Sequence, residues 1–134
     1  MAAEGLISQK SHYEPTETMR RLEAAVSRRG LTIFARVDHA AGAAAVDLSL
    51  RPTDLLIFGN AKGGTPVMQA AQPAGIDLPL KALVWQDADG ITWLSYNDPA
   101  WIAARHAAGP DAKAAVEAMS KLLQGIAAEV ASEK

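Results

Sequence analysis

Leu80-Lys81-Ala82-Leu83-Val84-Trp85-Gln86, then Asp87-Ala88-Asp89-Gly90, then Ile91-Thr92-Trp93-Leu94-Ser95-Tyr96: this stretch decides the fold. Two runs rich in apolar, β-branched and aromatic residues flank an Asp/Gly turn, which is the pattern of a β-hairpin. If Gly90 takes the left-handed position of a three-residue loop, Asp87 pairs with Ile91, Trp85 with Trp93, Leu83 with Ser95 and Lys81 with Asn97. One side of the ribbon then carries Leu80, Ala82, Val84, Leu94 and Tyr96. A two-residue loop shifts the register by one and sets Lys81 opposite Tyr96. The first register is preferred because it leaves one clean apolar face.

Upstream, Leu31 to Val37 is rich in β-branched residues and reads as a strand. Leu55-Leu56-Ile57-Phe58 is apolar on both sides, as an inner strand covered on both faces would be. Gly5 to Ser11 fits a short edge strand. Between the first two strands, Glu14-Pro15-Thr16-Glu17 signals a helix start, and Met19, Leu22 and Val26 recur at helical spacing until Gly30 stops the helix. This predicts a helix over about 16–29. The alanine-rich segment His39 to Asp47 predicts a short helix, as do Pro66 to about Ala71 and the stretch after Asn97-Asp98-Pro99. Downstream, Ala112, Ala115, Val116, Met119, Leu122, Leu123, Ile126, Ala127 and Val130 form one stripe of a long final helix.

The order is strand, helix, four strands, helix, with short helical insertions. It predicts a single α+β domain over residues 1–134: an antiparallel five-stranded sheet with two long helices on one face. The other face, with Trp85 and Trp93, is left for the short helices or for a second subunit, so a homodimer is expected.

Composition narrows the function. The 134 residues contain 49% hydrophobic and 21% charged residues, ordinary values for a globular chain. Cysteine is absent, which removes disulfides, thiolate metal sites and cysteine nucleophiles and suits a cytoplasmic location. A net charge of −2 with scattered signs gives no footprint for nucleic acid, and no helix carries a basic face for a membrane surface. No stretch approaches the ~20 apolar residues of a membrane span, and the N-terminus lacks a signal-peptide pattern. A soluble protein is expected.

Several pieces between Phe34 and His106 resemble a known family. They are Phe34-Ala35-Arg36-Val37-Asp38-His39, Arg51 to Asn60, Lys62 with Gly64-Thr65-Pro66-Val67-Met68-Gln69, Asp77 to Lys81, and Ser95 to Pro99. Together they resemble the bacterial and archaeal family called domain of unknown function 302. The resemblance implies a fold like one half-repeat of the TATA-binding protein architecture, in the order already read from periodicity. It implies no activity and no DNA binding, because function resides in sites and the basic sheet face is missing here. Ala61 departs from the family pattern, where a proline is expected between the Asn and the Lys.

The segment Gly59-Asn60-Ala61-Lys62-Gly63-Gly64-Thr65 offers the strongest candidate chemistry. Glycines after a buried strand and before a helix can turn backbone N–H groups toward an anion, with Lys62 adding charge. The same residues also serve as a plain strand-to-helix turn in which Thr65 caps a helix and Pro66 opens it. It is not a Walker A loop, since Gly64 is followed by Thr65-Pro66. Lys81, a charge within an apolar strand, is either a shifted, reactive amine or a snorkelling one reaching water or Asp77. If the strands bring Asn60, Lys62, Lys81 and Asn97 to one rim, a small anionic ligand can bind there.

His12, His39 and His106 are spread out, so no metal site is expected; His39 reads as a helix cap and His106 as a favourable charge at a helix end. No cofactor is implied. The leading expectation is a dimeric binding or interaction module holding a small anion through Asn60, Lys62, Thr65, Lys81, Tyr96, Asn97 and His39. The alternative is an enzyme acting on a small metabolite, with Lys81, Tyr96 or His39 as acid-base group, which requires at least two of these in one pocket.

Overall fold

The computed structural model describes residues 3–132. The chain runs β1 (Leu6–Lys10), α1 (Pro15–Arg28), β2 (Thr32–Asp38), α2 (His39–Ala45), β3 (Thr53–Gly59), α3 (Ala61–Ala70), a 3-10 segment (Gln72–Asp77), β4 (Leu80–Gln86), β5 (Thr92–Asn97), α4 (Pro99–Arg105), a 3-10 turn (Pro110–Ala112) and α5 (Lys113–Ala131). The five strands form one antiparallel sheet in the order β1-β5-β4-β3-β2. The expected α+β fold is the observed one.

The hairpin register is the one set by a three-residue loop: Leu83 opposes Ser95 and Trp85 opposes Trp93. Gly90 has a left-handed φ of 81°, and the Asp87 carboxylate accepts from the Asp89 and Ile91 amides. Leu80, Ala82, Val84, Leu94 and Tyr96 are all buried under the helices, joined by Leu56 and Phe58 of β3. From the helix layer, Met19, Leu22 and Val26 of α1 and Met119, Leu123, Ile126 and Val130 of α5 meet them. Each such side chain contributes about 1.5–3 kcal/mol when fully buried.

α1 and α5 are also latched by charge. Arg28 and Arg29 pair with Glu129, and the Arg21 guanidinium donates to the carbonyls of Glu129 and Val130 at the end of α5. Those carbonyls lack intrahelical partners, so Arg21 satisfies them.

Three local expectations need correction. Gly59 to Thr65 is not a loop: α3 already begins at Ala61, with Asn60 as its cap and Pro66 inside it. The Asn60 side chain accepts from the Gly63 amide at 2.6 Å, so an Asn-initiated cap overrides the helix start expected at Pro66. Second, β3 is an inner strand, but its two faces are unequally covered: Leu56 and Phe58 are buried under the long helices, while Leu55 and Ile57 on the other face are half-buried. Third, α2 is capped by Asp38, whose carboxylate accepts from the Ala41 amide, and not by His39.

Trp85 and Trp93 lie on the open face as expected, yet their polar ends are already occupied. The Trp85 indole donates to Ser95 Oγ and that of Trp93 to Asp87, with ring centroids 6.3 Å apart. The pair is half-buried by its own neighbours.

Gly5 closes the N-terminal edge strand against α4. Its φ is +78°, its carbonyl accepts from the Asp98 amide, and a Cβ placed there would lie 2.3 Å from the Trp101 ring. Gly30, with φ +73°, has no atom within 4 Å of the same position. Gly30→Ala should therefore cost only the left-handed backbone term, about 1–2 kcal/mol. Gly5→Ala should cost that plus about 1–3 kcal/mol of overpacking. Urea unfolding of the two variants checks this, and equal losses would contradict the close approach to Trp101.

Candidate functional site

The first turn of α3 carries Gly63 and Gly64: a Cβ on Gly63 would press on Asn60 Oδ1 at 3.0 Å, and the bare Gly64 leaves room beneath the helix. A cavity of about 250 Å³ opens there. It is walled by Met119 and Leu122 of α5, Met68 of α3, Leu31 and Phe34 of the β2 region, and Leu78 to Leu80 at the start of β4. A Cβ on Gly64 would enter ordinary contact with Leu78 and Met68, at 3.6 and 3.8 Å. The lining is overwhelmingly apolar, with Asn60, Thr65 and the backbone of the α3 first turn as its polar rim.

Geometry at that rim follows from helix capping. The first amides of any helix lack intrahelical acceptors. Asn60 supplies Oδ1 and its own carbonyl to Gly63, and the carbonyl also accepts from Gly64. Asn60 and Ala61 line the cavity at the start of α3, the positive end of the helix dipole.

The seven candidate residues do not converge on one spot. Asn60 and Thr65 line the cavity. Lys62 sits in the same helical turn but is exposed and outside the lining. Lys81 and Asn97 lie on the open face of the sheet, on adjacent strands, opposite the face that the cavity occupies. Tyr96 is buried in the core, where burial and the nearby Asp98 charge raise its phenol pKa. His39 begins α2, beside the Asp38–Asp54 end of the β2–β3 ladder, whereas the cavity adjoins its Thr32–Gly59 end. The reason is the pleat: Lys81 and Leu80 are neighbours in sequence and point to opposite faces.

Lys81 takes the snorkelling form. Its Nζ donates to the carbonyls of Pro79 and Asp77, at 3.1 and 3.3 Å. Burial lowers its pKa, and the charge of Asp77 opposes that shift. The Asp77 carboxylate itself faces elsewhere, toward α4. His106 Nε2 lies 2.6 Å from its Oδ2, and Arg105 Nη1 donates to both oxygens.

This Asp77–His106–Arg105 cluster is the ionic feature that the sequence does not announce, because 29 positions separate aspartate and histidine. It clamps the 3-10 segment to the end of α4. His106 thus has a carboxylate partner beyond any helix-end charge effect. Among the described residues no group of three or more His, Cys, Asp or Glu side chains is placed to hold a metal ion.

Comparison with known proteins places the chain. The profile of a family described as "Domain of unknown function DUF302" matches residues 7–126, and the chain belongs to that family. The crystal structure of an uncharacterized conserved DUF302 protein from Bacillus stearothermophilus shares the fold, with TM-score 0.83 and 19% identity over 96% of this chain and 99% of that one. At the level of sequence, the chain is 45% identical over 115 residues to proteins called fluoride-specific ion channel FluC 1 in Brucella suis and Brucella abortus. The match covers 86% of this chain but only 45% and 43% of theirs, so the chain spans less than half the length of these curated relatives.

The clamp gives a pH dependence. Burial alone pushes the Asp77 carboxyl up, but hydrogen bonds from His106 and Arg105, with their charges, outweigh it and hold the pKa below the ordinary 3.8. A carboxyl depressed in the folded state contributes stability that is present above the unfolded value and lost as pH falls through the folded one. Asp77→Asn should cost about 1.5–3 kcal/mol at pH 7, the range for hydrogen bonds to charged groups. Urea unfolding should show wild type and variant converging on acidification below pH 3.8. An undiminished gap in acid would contradict the clamp.

Proposed function

We propose that this DUF302 chain is a dimeric binding module whose ligand is a small carboxylate with a short apolar body. The cavity under α3 carries this reading. Its 250 Å³ is small beside the 300–1,000 Å³ usual for drug-sized ligands. Its walls suit a branched or short hydrocarbon chain, and burying each CH₂ there is worth about 0.8 kcal/mol. Asn60 and Thr65 in the lining and the N-terminal end of the α3 dipole favour a negative head group. Lys62, in the same turn, adds positive charge from the solvent side.

The enzymatic alternative finds less support, since none of Lys81, Tyr96 and His39 lines this cavity. Binding needs none of them.

The Brucella relatives suggest a setting for such a module. An α-helical channel requires apolar segments of about 20 residues. No helix among the described residues is long and apolar enough to cross a membrane. Conduction through helices in those proteins would then belong to the more than half of their length that this chain does not match. On this reading the domain is a ligand-responsive companion of a channel, and the ion is not its own ligand.

Thermal-shift measurements with butyrate, isovalerate and hexanoate, each against its matching alcohol, test the proposal. A carboxylate at 100 times its Kd should stabilise by about 2.7 kcal/mol. Gly64→Leu should fill the cavity, remove that response and gain about 0.5–1 kcal/mol of intrinsic stability from the lost helical glycine. Sodium fluoride should act no differently from sodium chloride. A carboxylate response that persists in Gly64→Leu would place the ligand elsewhere, and no response to any carboxylate would overturn the ligand class.

A further inference from the structure

The two edges of the sheet are built differently. β1 ends one side with five residues, of which Ser8, Gln9 and Lys10 are polar and exposed. An edge lysine on a short strand is a common way to discourage pairing with another chain. β2 ends the other side with seven residues, all exposed, in the sequence Thr-Ile-Phe-Ala-Arg-Val-Asp with neither lysine nor proline. Beyond its bulge at Ile33–Ala35 this edge is open, and an open edge is a template for a further strand.

Most of the exposed large apolar side chains belong to β2 and to the connection that follows α2, while Ile7 on β1 and Ile76 in the 3-10 segment lie elsewhere. Phe34 is 55% and Val37 38% exposed on β2, and Val46, Leu48 and Leu50 are 65%, 65% and 50% exposed in the connection from α2 back to β3. By contrast, the Trp85–Trp93 pair on the open face is satisfied by its own neighbours and asks for no partner.

We infer that β2 pairs antiparallel with β2 of a second copy of this chain, about a two-fold axis near Val37, making one continuous ten-stranded sheet. This deepens, and rests on, the dimeric part of the reading above; it is independent of the ligand. Charge complementarity selects the occupant. Arg36 and Asp38 flank Val37 on one face of the strand, so the axis sets each Arg36 opposite Asp38 of the partner subunit, twice over. Val37 then meets Val37 of the partner subunit on the other face. Arg36 already bridges Asp54 and Glu23 and stays 43% exposed, so its guanidinium has room for another carboxylate. The bulge at Ile33–Ala35 on one side of the axis and the start of α2 at His39 on the other confine regular pairing to Arg36–Asp38. A closed two-fold contact of this kind uses the edge up and stops further growth.

Light scattering coupled to size exclusion tests this on the full chain. Wild type should run at twice its 14.1 kDa mass and Val37→Lys as the monomer, with an unchanged circular-dichroism spectrum. Amide exchange on wild type provides a second reading: protection within Arg36 to Asp38 should fall on dilution. A monomeric wild type would overturn the dimer altogether. A Val37→Lys chain that stays dimeric, or β2 protection that ignores concentration, would overturn this interface and leave a dimer formed by another surface. Should Val37→Lys fail to fold, the dilution experiment decides alone.

Discussion

One constraint governs the molecule: one face of the sheet is buried under the long helices, and the three inner strands must present alternate residues to it. β3, β4 and β5 commit Leu56, Phe58, Leu80, Ala82, Val84, Leu94 and Tyr96 to that face, and the stripes of α1 and α5 close over them. A slip of one residue in any ladder would exchange this apolar set for Lys81, Trp85 and Ser95, which is why register is so firmly specified. The same alternation sends Lys81 away from the cavity that its neighbour Leu80 helps to line.

The cavity is a consequence of how the helix layer meets that buried face. α3 carries Gly64 in its first turn, where a Cβ would meet Leu78 and Met68, and the cavity left there extends to Met119 and Leu122 of α5. An Asn cap fixes the start of the helix, and Asn60 and Ala61 come to line the cavity beside it. Apolar depth and a polar, electropositive rim therefore arise from one local decision, the placing of Asn60.

Much of the architecture was legible because it rests on period and turn chemistry. The alternation on either side of Gly90 gives the hairpin register, and the Met19-Leu22-Val26 spacing gives α1. The Gly59–Thr65 segment misled because propensity argues against helix at Gly63 and Gly64, and the Asn60 cap with tertiary packing outweighs it. Site residues were less legible: Asn60 and Thr65 were flagged through the glycine pattern, while Met68, Leu78, Met119 and Leu122 look in sequence like any other core position. The Asp77–His106 clamp had no local signature at all, since chain topology alone brings a 3-10 segment to the end of α4.

What the account turns on is whether the space beneath α3 receives an amphiphilic anion. The most direct measurement is amide chemical-shift mapping of the ¹⁵N-labelled chain titrated with hexanoate. The expected result is saturable perturbation concentrated at Asn60 to Thr65, Leu78 and the Met119–Leu122 turn, with the open sheet face unmoved. Perturbations gathered instead around Lys81, Asn97 and the tryptophan pair, or none that saturate, would contradict it.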